Sequence, residues 1–446
     1  MLNRLLFTKI DNSPLLIFRV FFGILVALEC YGAIATGWVR RTLIEPDFTF
    51  TFIGFEWLQP LPGNGMYLYF LVMGTLGVCI AVGYKYRFSI IAFALLWAAV
   101  YLMQKTSYNN HYYLLLLISV FMCFFPAQRN YSLDAKQNPS IKTNTMPSYV
   151  KWAIVLQLFI VYTYASIAKM YVDWLDFSMV KILMLDKADY PLIGSLLQEL
   201  WLHKVVGVFG ILFDALIVPA LLWKPSRKLA FLVSIFFHLF NSIIFQIGIF
   251  PYLALAFTVF FFEPETLRKI FFKRKEAYVQ NEIQIPSYKN AIVLLGGLYF
   301  LIQFALPLRH HFIKDGVLWT EEGHRLSWRM MLRSRTGTIK FTVVNTKTSD
   351  TTIVNLDDYL TKKQKRRVRA YPDFIWQFAQ HLKKEYAKNG EEIAVFVDSK
   401  ASVNGRPYST FIDPKIDLAH TPWNLFSHHD WIHSSVKQKK KGSAVQ

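Results

Sequence analysis

The stretch Trp152-Ala-Ile-Val-Leu-Gln-Leu-Phe-Ile-Val-Tyr-Thr-Tyr-Ala-Ser-Ile-Ala-Lys-Met170 decides the fold class. It is apolar apart from one charge and long enough to cross the ~30 Å hydrocarbon core of a bilayer as a helix. An ammonium at the end of such a run is stable only if it is paired, hydrated or used. A lysine stripped of water holds its proton less tightly, and its amine becomes available as a base. Lys169 therefore raises the question of chemistry within a membrane. Two plainer readings stand beside it. The side chain snorkels to the interface, or it pairs with Asp173 one helical turn on. The second would oppose a base role, because a nearby carboxylate favours the charged form.

The same kind of run recurs along the chain. Of 446 residues 54% are hydrophobic and 17% aromatic, with a mean hydropathy of +0.29. Few soluble chains are this apolar. Nine spans are predicted, near residues 14–36, 66–84, 88–104, 111–126, 149–170, 205–223, 228–247, 249–263 and 291–307. The eighth is short and contains Pro251, which points to a re-entrant or tilted segment. Beyond them the chain turns polar. Thr338 to Val344 and Glu392 to Val397 alternate like strands. Pro372 to Lys388 has helical periodicity with a start signal at Pro372-Asp373. The expected architecture is a polytopic α-helical membrane domain followed by a mixed, strand-rich α+β soluble domain. Its parts are a transmembrane catalytic domain over 1–307, an extracytoplasmic domain over 308–434 and a basic disordered tail over 435–446.

The formal net charge is +19. No nucleic-acid motif accompanies it. Much of it belongs to short loops, with Lys85 and Arg87, Lys224 and Arg227, and Lys269 to Lys275 all on one side of a nine-span chain. That side is cytoplasmic by the positive-inside rule. The N-terminus then lies in the cytoplasm and the C-terminal domain outside it, across a bacterial inner membrane or, in a eukaryote, the endoplasmic reticulum. The remaining charge lies in the soluble domain and in Lys437 to Lys441, which suits an acidic partner or anionic membrane lipid. The three cysteines, Cys30, Cys79 and Cys123, all lie in apolar runs, so neither a disulfide framework nor a cysteine metal site is expected. The first run, Leu15 to Tyr31, lacks a small-residue cleavage site and reads as an uncleaved anchor.

Other polar residues stand out against this background. His111 opens span four, and Lys169 closes span five at the same membrane side, because a cytoplasmic loop joins the two. Asn109 and Asn110 suit a helix start. The positive end of that helix favours a neutral imidazole, able to donate to or accept from a substrate oxygen; a hydrated interfacial histidine is the plainer reading. His238, Asn241, Ser242 and Gln246 form a stripe at i, i+3, i+4 and i+8 of span seven. Such a stripe faces protein or a cavity and serves either interhelical hydrogen bonding or a substrate pocket. In span one, Arg19 is expected to snorkel to the cytoplasmic side, while Glu29 has no assigned role. Arg87 and the basic run near Lys275 read as topology signals. No HExxH, CxxC, GxSxG, P-loop or dinucleotide fingerprint is present. The adjacent pairs His310-His311 and His428-His429 are poorly spaced for one metal, and no metal is expected.

Several strings together resemble the vitamin K-dependent γ-glutamyl carboxylases and their bacterial relatives with an HTTM-type membrane domain. In the membrane part they are Leu16-Ile-Phe-Arg-Val-Phe-Phe-Gly23, Lys105-Thr-Ser-Tyr-Asn-Asn-His-Tyr-Tyr-Leu114, Gln157-Leu-Phe-Ile-Val-Tyr162, Ala168-Lys-Met-Tyr-Val-Asp-Trp174, Phe237-His-Leu-Phe-Asn-Ser242 and Ile247-Gly-Ile-Phe250. In the soluble part they are Ser327-Trp-Arg-Met-Met-Leu-Arg-Ser-Arg335, Phe411-Ile-Asp-Pro-Lys-Ile-Asp417 and Thr421-Pro-Trp423. The resemblance implies a multi-pass membrane lyase. A buried lysine deprotonates vitamin K hydroquinone, or a menaquinol in a bacterium. Reaction with O2 yields a strong base that takes the γ-proton of a peptidyl glutamate. The carbanion adds CO2, leaving γ-carboxyglutamate and the quinone epoxide.

By the same resemblance Lys169 matches the base and His111 the assisting histidine. A quinol and substrate pocket would include Asn109, Asn110, Asp173, Trp174, His238, Asn241 and Ser242. The implied partners are a glutamate-containing peptide or protein, the lipid quinol and membrane lipids. The chain departs from the vertebrate enzymes in two ways: its soluble domain has no cysteine for an inter-domain disulfide, and it is shorter at the C-terminus. Two rival functions follow from weaker versions of the same reading. One is quinol epoxidation without protein carboxylation. The other is a non-catalytic receptor or transporter, although a transporter would need only the first 307 residues and would be expected to show duplicated halves.

Overall fold

Nine apolar helices carry the first two-thirds of the chain. In the computed structural model, which describes residues 1–280 and 282–435, seven are long and apolar enough to cross a membrane. They are Ser13–Ala35 (α1), Gly65–Val82 (α2), Tyr86–Met103 (α3), Tyr149–Ala168 (α5), Leu200–Leu222 (α6), Arg227–Ile244 (α7) and Lys289–Ala305 (α9), the last continued by a 3-10 turn to Phe312. Asn110–Phe124 (α4) and Phe250–Phe257 (α8) are apolar but shorter. The protein is a multi-pass membrane protein. The basic tail expected from residue 435 falls, from 436 on, outside the described residues.

The chain divides into two units. The first holds Met1–Glu45, Thr51–Thr163 and Leu212–Ile302; the second holds Pro46–Phe50, Tyr164–Ile211 and residues 303–435. In the first, α1 and α2 pack through glycine. A Cβ at Gly23 would stand 2.3 Å from the backbone nitrogen of Ala81, and one at Gly77 2.8 Å from that of Ala27. In lipid, where apolar side chains gain little by leaving the solvent, such close backbone approach is what joins helices. Phe18 of α1 stacks on Phe257 of α8 at 5.0 Å.

Two charges read as interfacial are structural instead. Arg19 does not snorkel. It is 1% exposed and donates to the carbonyls of Ala127, Asn130 and Tyr131, saturating the chain beyond α4. Lys275 is buried as well, with its ammonium 2.8 Å from Asp11. That pair flanks a small antiparallel ladder of Lys9–Asp11 (β1) and Thr145–Pro147 (β2), which ties together segments far apart in sequence. Burial alone would raise the Asp11 carboxyl, but hydrogen bonds from Lys275 and Ser13 outweigh it and hold it below the usual value.

The second unit carries an antiparallel sheet in the order Thr351–Ile353 (β4), Arg335–Asn345 (β3), Ile393–Val403 (β5) and Ser409–Thr410 (β6). β3 and β5 pair from Arg335↔Val403 to Asn345↔Ile393. Alternation sends Phe341, Val343, Val395 and Val397 inward. The helix Pro372–Lys388 covers them with Phe374, Ile375, Phe378 and Leu382. It begins where the sequence signals it: Tyr371 is extended before Pro372, Pro372 fills the first turn and Asp373 follows. A shorter helix, Lys362–Val368 (α10), precedes it, so the longer one is α11.

Candidate active site

The residues named from the sequence fall into two groups, one in each unit. In the first unit, Asn109 caps α4 as expected, its side chain accepting from the Tyr112 amide at 2.8 Å. His111 follows in the first turn and stacks on Phe250, centroid to centroid 4.4 Å. His238, near the middle of α7 and 1% exposed, sets its edge against the same Phe250 at 5.8 Å and against Phe213 at 5.6 Å. Phe250, the first residue of α8, thus joins the two histidines. His238 Nε2 lies 3.1 Å from the Tyr162 hydroxyl. The Nδ1 atoms of His111 and His238 are both buried without a partner.

The stripe on α7 divides. His238 belongs to this aromatic cluster, whereas the Asn241 amide donates to its own helix at the Phe237 carbonyl, 2.8 Å away. The Ser242 hydroxyl lies 3.0 Å from that of Tyr252. Asn110 accepts from the Tyr108 hydroxyl at 2.9 Å. Glu29 accepts from the Tyr112 hydroxyl and lines a small cleft with Trp38, Trp97, Tyr101, Tyr108 and Tyr112. One residue was overlooked in the sequence. Asp214 is a carboxylate in the middle of α6, 6% exposed and within electrostatic reach of Tyr162. Its signal was available, since an ionisable group inside a span is a functional candidate by default.

In the second unit Lys169 follows directly on the C-terminal end of α5. It is 8% exposed. Its ammonium donates to the Ala165 carbonyl at 3.2 Å and sits 5.4 Å above the ring of Trp174, whose own Nε1 donates to Gly207 at 3.1 Å. Asp173 turns elsewhere. Its carboxylate accepts a two-pronged bond from Arg406, one arm at 2.8 Å, and a third bond from Asn404 at 2.6 Å. Arg406 and Asn404 were not visible as site residues in the sequence.

The same unit buries a cluster of like charges around the Ser327 to Arg335 string. Glu321 pairs with Arg333 and Arg335, and Asp373 with Arg325. Burial, and then the surrounding Arg333, Arg329, Arg325 and Arg335, push the His324 imidazole well below its ordinary value. Among the described residues no group of three or more His, Cys, Asp or Glu side chains is placed to hold a metal ion.

Chemically, the first unit offers two imidazole nitrogens in want of a partner beside the faces of Phe213, Phe237 and Phe250. That donor set suits the hydroxyls of a quinol: an open imidazole nitrogen among aromatic rings can take a phenolic proton or donate to a phenolic lone pair.

This is a membrane protein of the HTTM class: the HTTM domain family matches residues 7–265. The vitamin K-dependent gamma-carboxylase lumenal domain family matches residues 288–438, and the chain belongs to the γ-glutamyl carboxylase family. No solved structure matches the chain.

Proposed function

We propose that this protein is a vitamin K-type, quinol-dependent γ-glutamyl carboxylase. The observation that carries the reading is the pair of unpartnered imidazole nitrogens around Phe250, in a chain of the carboxylase family. When bound, a reduced vitamin K or menaquinol supplies, on oxidation by O2, the base strong enough to take a glutamate γ-proton for CO2 addition. The rest falls to the chain. By the family resemblance Lys169 is the residue that takes the quinol proton at Nζ. His111 and His238 orient the hydroxyls through Nδ1. Tyr162, on the far nitrogen of His238, orients that ring and offers a path for a proton. The aromatic packing excludes water that would quench a strong base. We further place the peptide-binding side outside the cytoplasm, from the loop charges.

The test is incubation of the purified protein with reduced vitamin K, labelled CO2 and a glutamate-rich peptide. Label in the peptide together with quinone epoxide is expected. Epoxide without label reduces the protein to a quinol epoxidase; neither product overturns the reading. Lys169→Ala is expected to abolish both products, and epoxide formation by that variant would remove Lys169 from the base role.

A further inference from the structure

α10 and the residue after it read Lys362-Lys-Gln-Lys-Arg-Arg-Val-Arg369, six basic residues of eight. The helix period sorts them. Gln364 and Val368 are buried and face inward, while Lys362, Arg366 and Arg369, at i, i+4 and i+7, are exposed together on the opposite side. The other cations are partly engaged. Lys365 pairs with Asp357, and the Arg367 guanidinium donates to the Tyr371 hydroxyl at 2.9 Å and lies 5.1 Å from its ring. No ion pair ties down Lys362, Arg366 or Arg369 among the described residues. The nearby Asp358 accepts from Asn355 and Asp357 is taken by Lys365, so neither carboxylate neutralises this face.

The face is also rigid. Thr361 and Gln364 form a capping box, and the Gln364 amide donates onward to the Phe48 carbonyl. The helix that carries the row is thus held in place and presents its cations in a set register. An interfacial membrane helix needs an apolar face turned outward. Here the apolar side is spent inward, and every exposed residue of α10 is basic. Charge alone remains to recognise a partner. The row is roughly 10 Å long at 1.5 Å per residue, the reach of about three residues of extended peptide.

We propose that this face docks glutamate-rich segments of the protein substrate. The proposal rests on the carboxylase reading and adds the surface on which an acidic segment is held. It also orders substrate and product. Each γ-carboxylation gives a glutamate side chain a second carboxylate, so the modified segment binds this face more tightly than the unmodified one.

Binding is separable from turnover. Full-length protein in detergent is titrated into a fluorescent glutamate-rich peptide and into its γ-carboxyglutamate counterpart, and anisotropy is followed at low and high salt. Three exposed ion pairs, each a factor of a few, predict that Lys362→Gln/Arg366→Gln/Arg369→Gln weakens binding about tenfold. Salt should weaken the wild type most, the carboxylated peptide should bind more tightly, and Arg366→Lys/Arg369→Lys should keep wild-type affinity. Equal peptide affinity for wild type and the triple variant overturns the proposal. So does a triple variant that loses only adsorption to phosphatidylglycerol vesicles, which would make the face a lipid contact. Absence of carboxylation with peptide binding intact would instead strike the proposed reaction and leave the docking face standing.

Discussion

The hydroxyl of Tyr162 lies 3.1 Å from Nε2 of His238, and the other nitrogen of that ring is buried without a partner. One side of the imidazole is thus set by protein and the other is left for a ligand. His238→Ala is expected to lower quinol turnover by about 10²-fold or more, the usual range for a lost proton-transfer or orienting group. Tyr162→Phe, which keeps the ring and removes only the bond, should lower kcat by about tenfold with little change in the quinol KM. A rise in KM alone would make Tyr162 a packing residue. Because Asp214 is in electrostatic reach of Tyr162, Asp214→Asn should reshape the pH profile of kcat rather than KM. An unchanged profile would exclude a positioning role.

Asp173 bears on Lys169 in the opposite sense. The two are one helical turn apart in sequence, yet the Asp173 carboxylate is held by Arg406 and Asn404. Arg406 and Asn404 thus take up the Asp173 carboxylate. Arg406→Ala is expected to lower quinol turnover, and Asp173→Asn in the same chain should recover part of it, because the amide removes the charge left without its partner. The Asp173 side chain is 6% exposed, so Arg406→Ala strands a buried carboxylate and should lower the unfolding midpoint by more than the ~1 kcal/mol of an exposed pair. Unchanged turnover with an unchanged midpoint would make the Asp173–Arg406 pair incidental.

His324 gives the second unit a pH-sensitive stability. It is buried and neutral in the folded state, hemmed in by Arg333, Arg329, Arg325 and Arg335, with Glu321 paired to two of them. The unfolded chain takes up a proton near pH 6.5 and the folded one does not, so the unfolded state binds more protons below that pH. Stability is full above pH 6.5 and falls on acidification. Between pH 7 and pH 5 His324 therefore costs the folded state stability. Urea unfolding of the full chain, followed at both pH values, should show the loss, and His324→Gln should reduce it. A pH-independent midpoint would mean that His324 is charged or exposed when folded.

Local signals explain what could be read from the sequence. Among the described residues apolar runs marked the seven helices long enough to cross a membrane and the two shorter apolar ones, and Pro372-Asp373 fixed the start of α11, because a proline at the first turn acts on its own neighbours. Asn109 was legible as a cap for the same reason. Long-range partners were not. Asp173 meets Arg406 across more than two hundred residues, and no pattern around Asp173 announces it. The carbonyls held by Arg19 lie on a distant loop, so the sequence offered only snorkelling. Phe250 looked like one more apolar residue, and only the packing of α8 reveals that it joins His111 to His238. Lys275 was one cation in a basic loop, and its burial separates it from topology signals such as Lys273.

That burial makes the Lys275–Asp11 pair a strong test of what holds the segments around the β1–β2 ladder together. The side chains are 1% and 4% exposed, and Asp11 also accepts from the Ser13 amide at 2.8 Å and the Ser13 hydroxyl at 2.6 Å. Removing one partner leaves a buried charge uncompensated, at a cost of about 3–5 kcal/mol. Lys275→Ala should therefore lower the unfolding midpoint sharply, more than Lys273→Ala in the same loop. Lys275→Met with Asp11→Asn removes both charges and keeps the volume, and should recover most of the loss, because an apolar replacement spares the desolvation of two ions. The Asp11 carboxyl is held below its usual value, so the pair's contribution is full above pH 4 and fades as the pH drops further. The double variant should lose that acid sensitivity. If Lys275→Ala were no worse than Lys273→Ala, the pair would be incidental, and the β1–β2 ladder alone would hold these segments together.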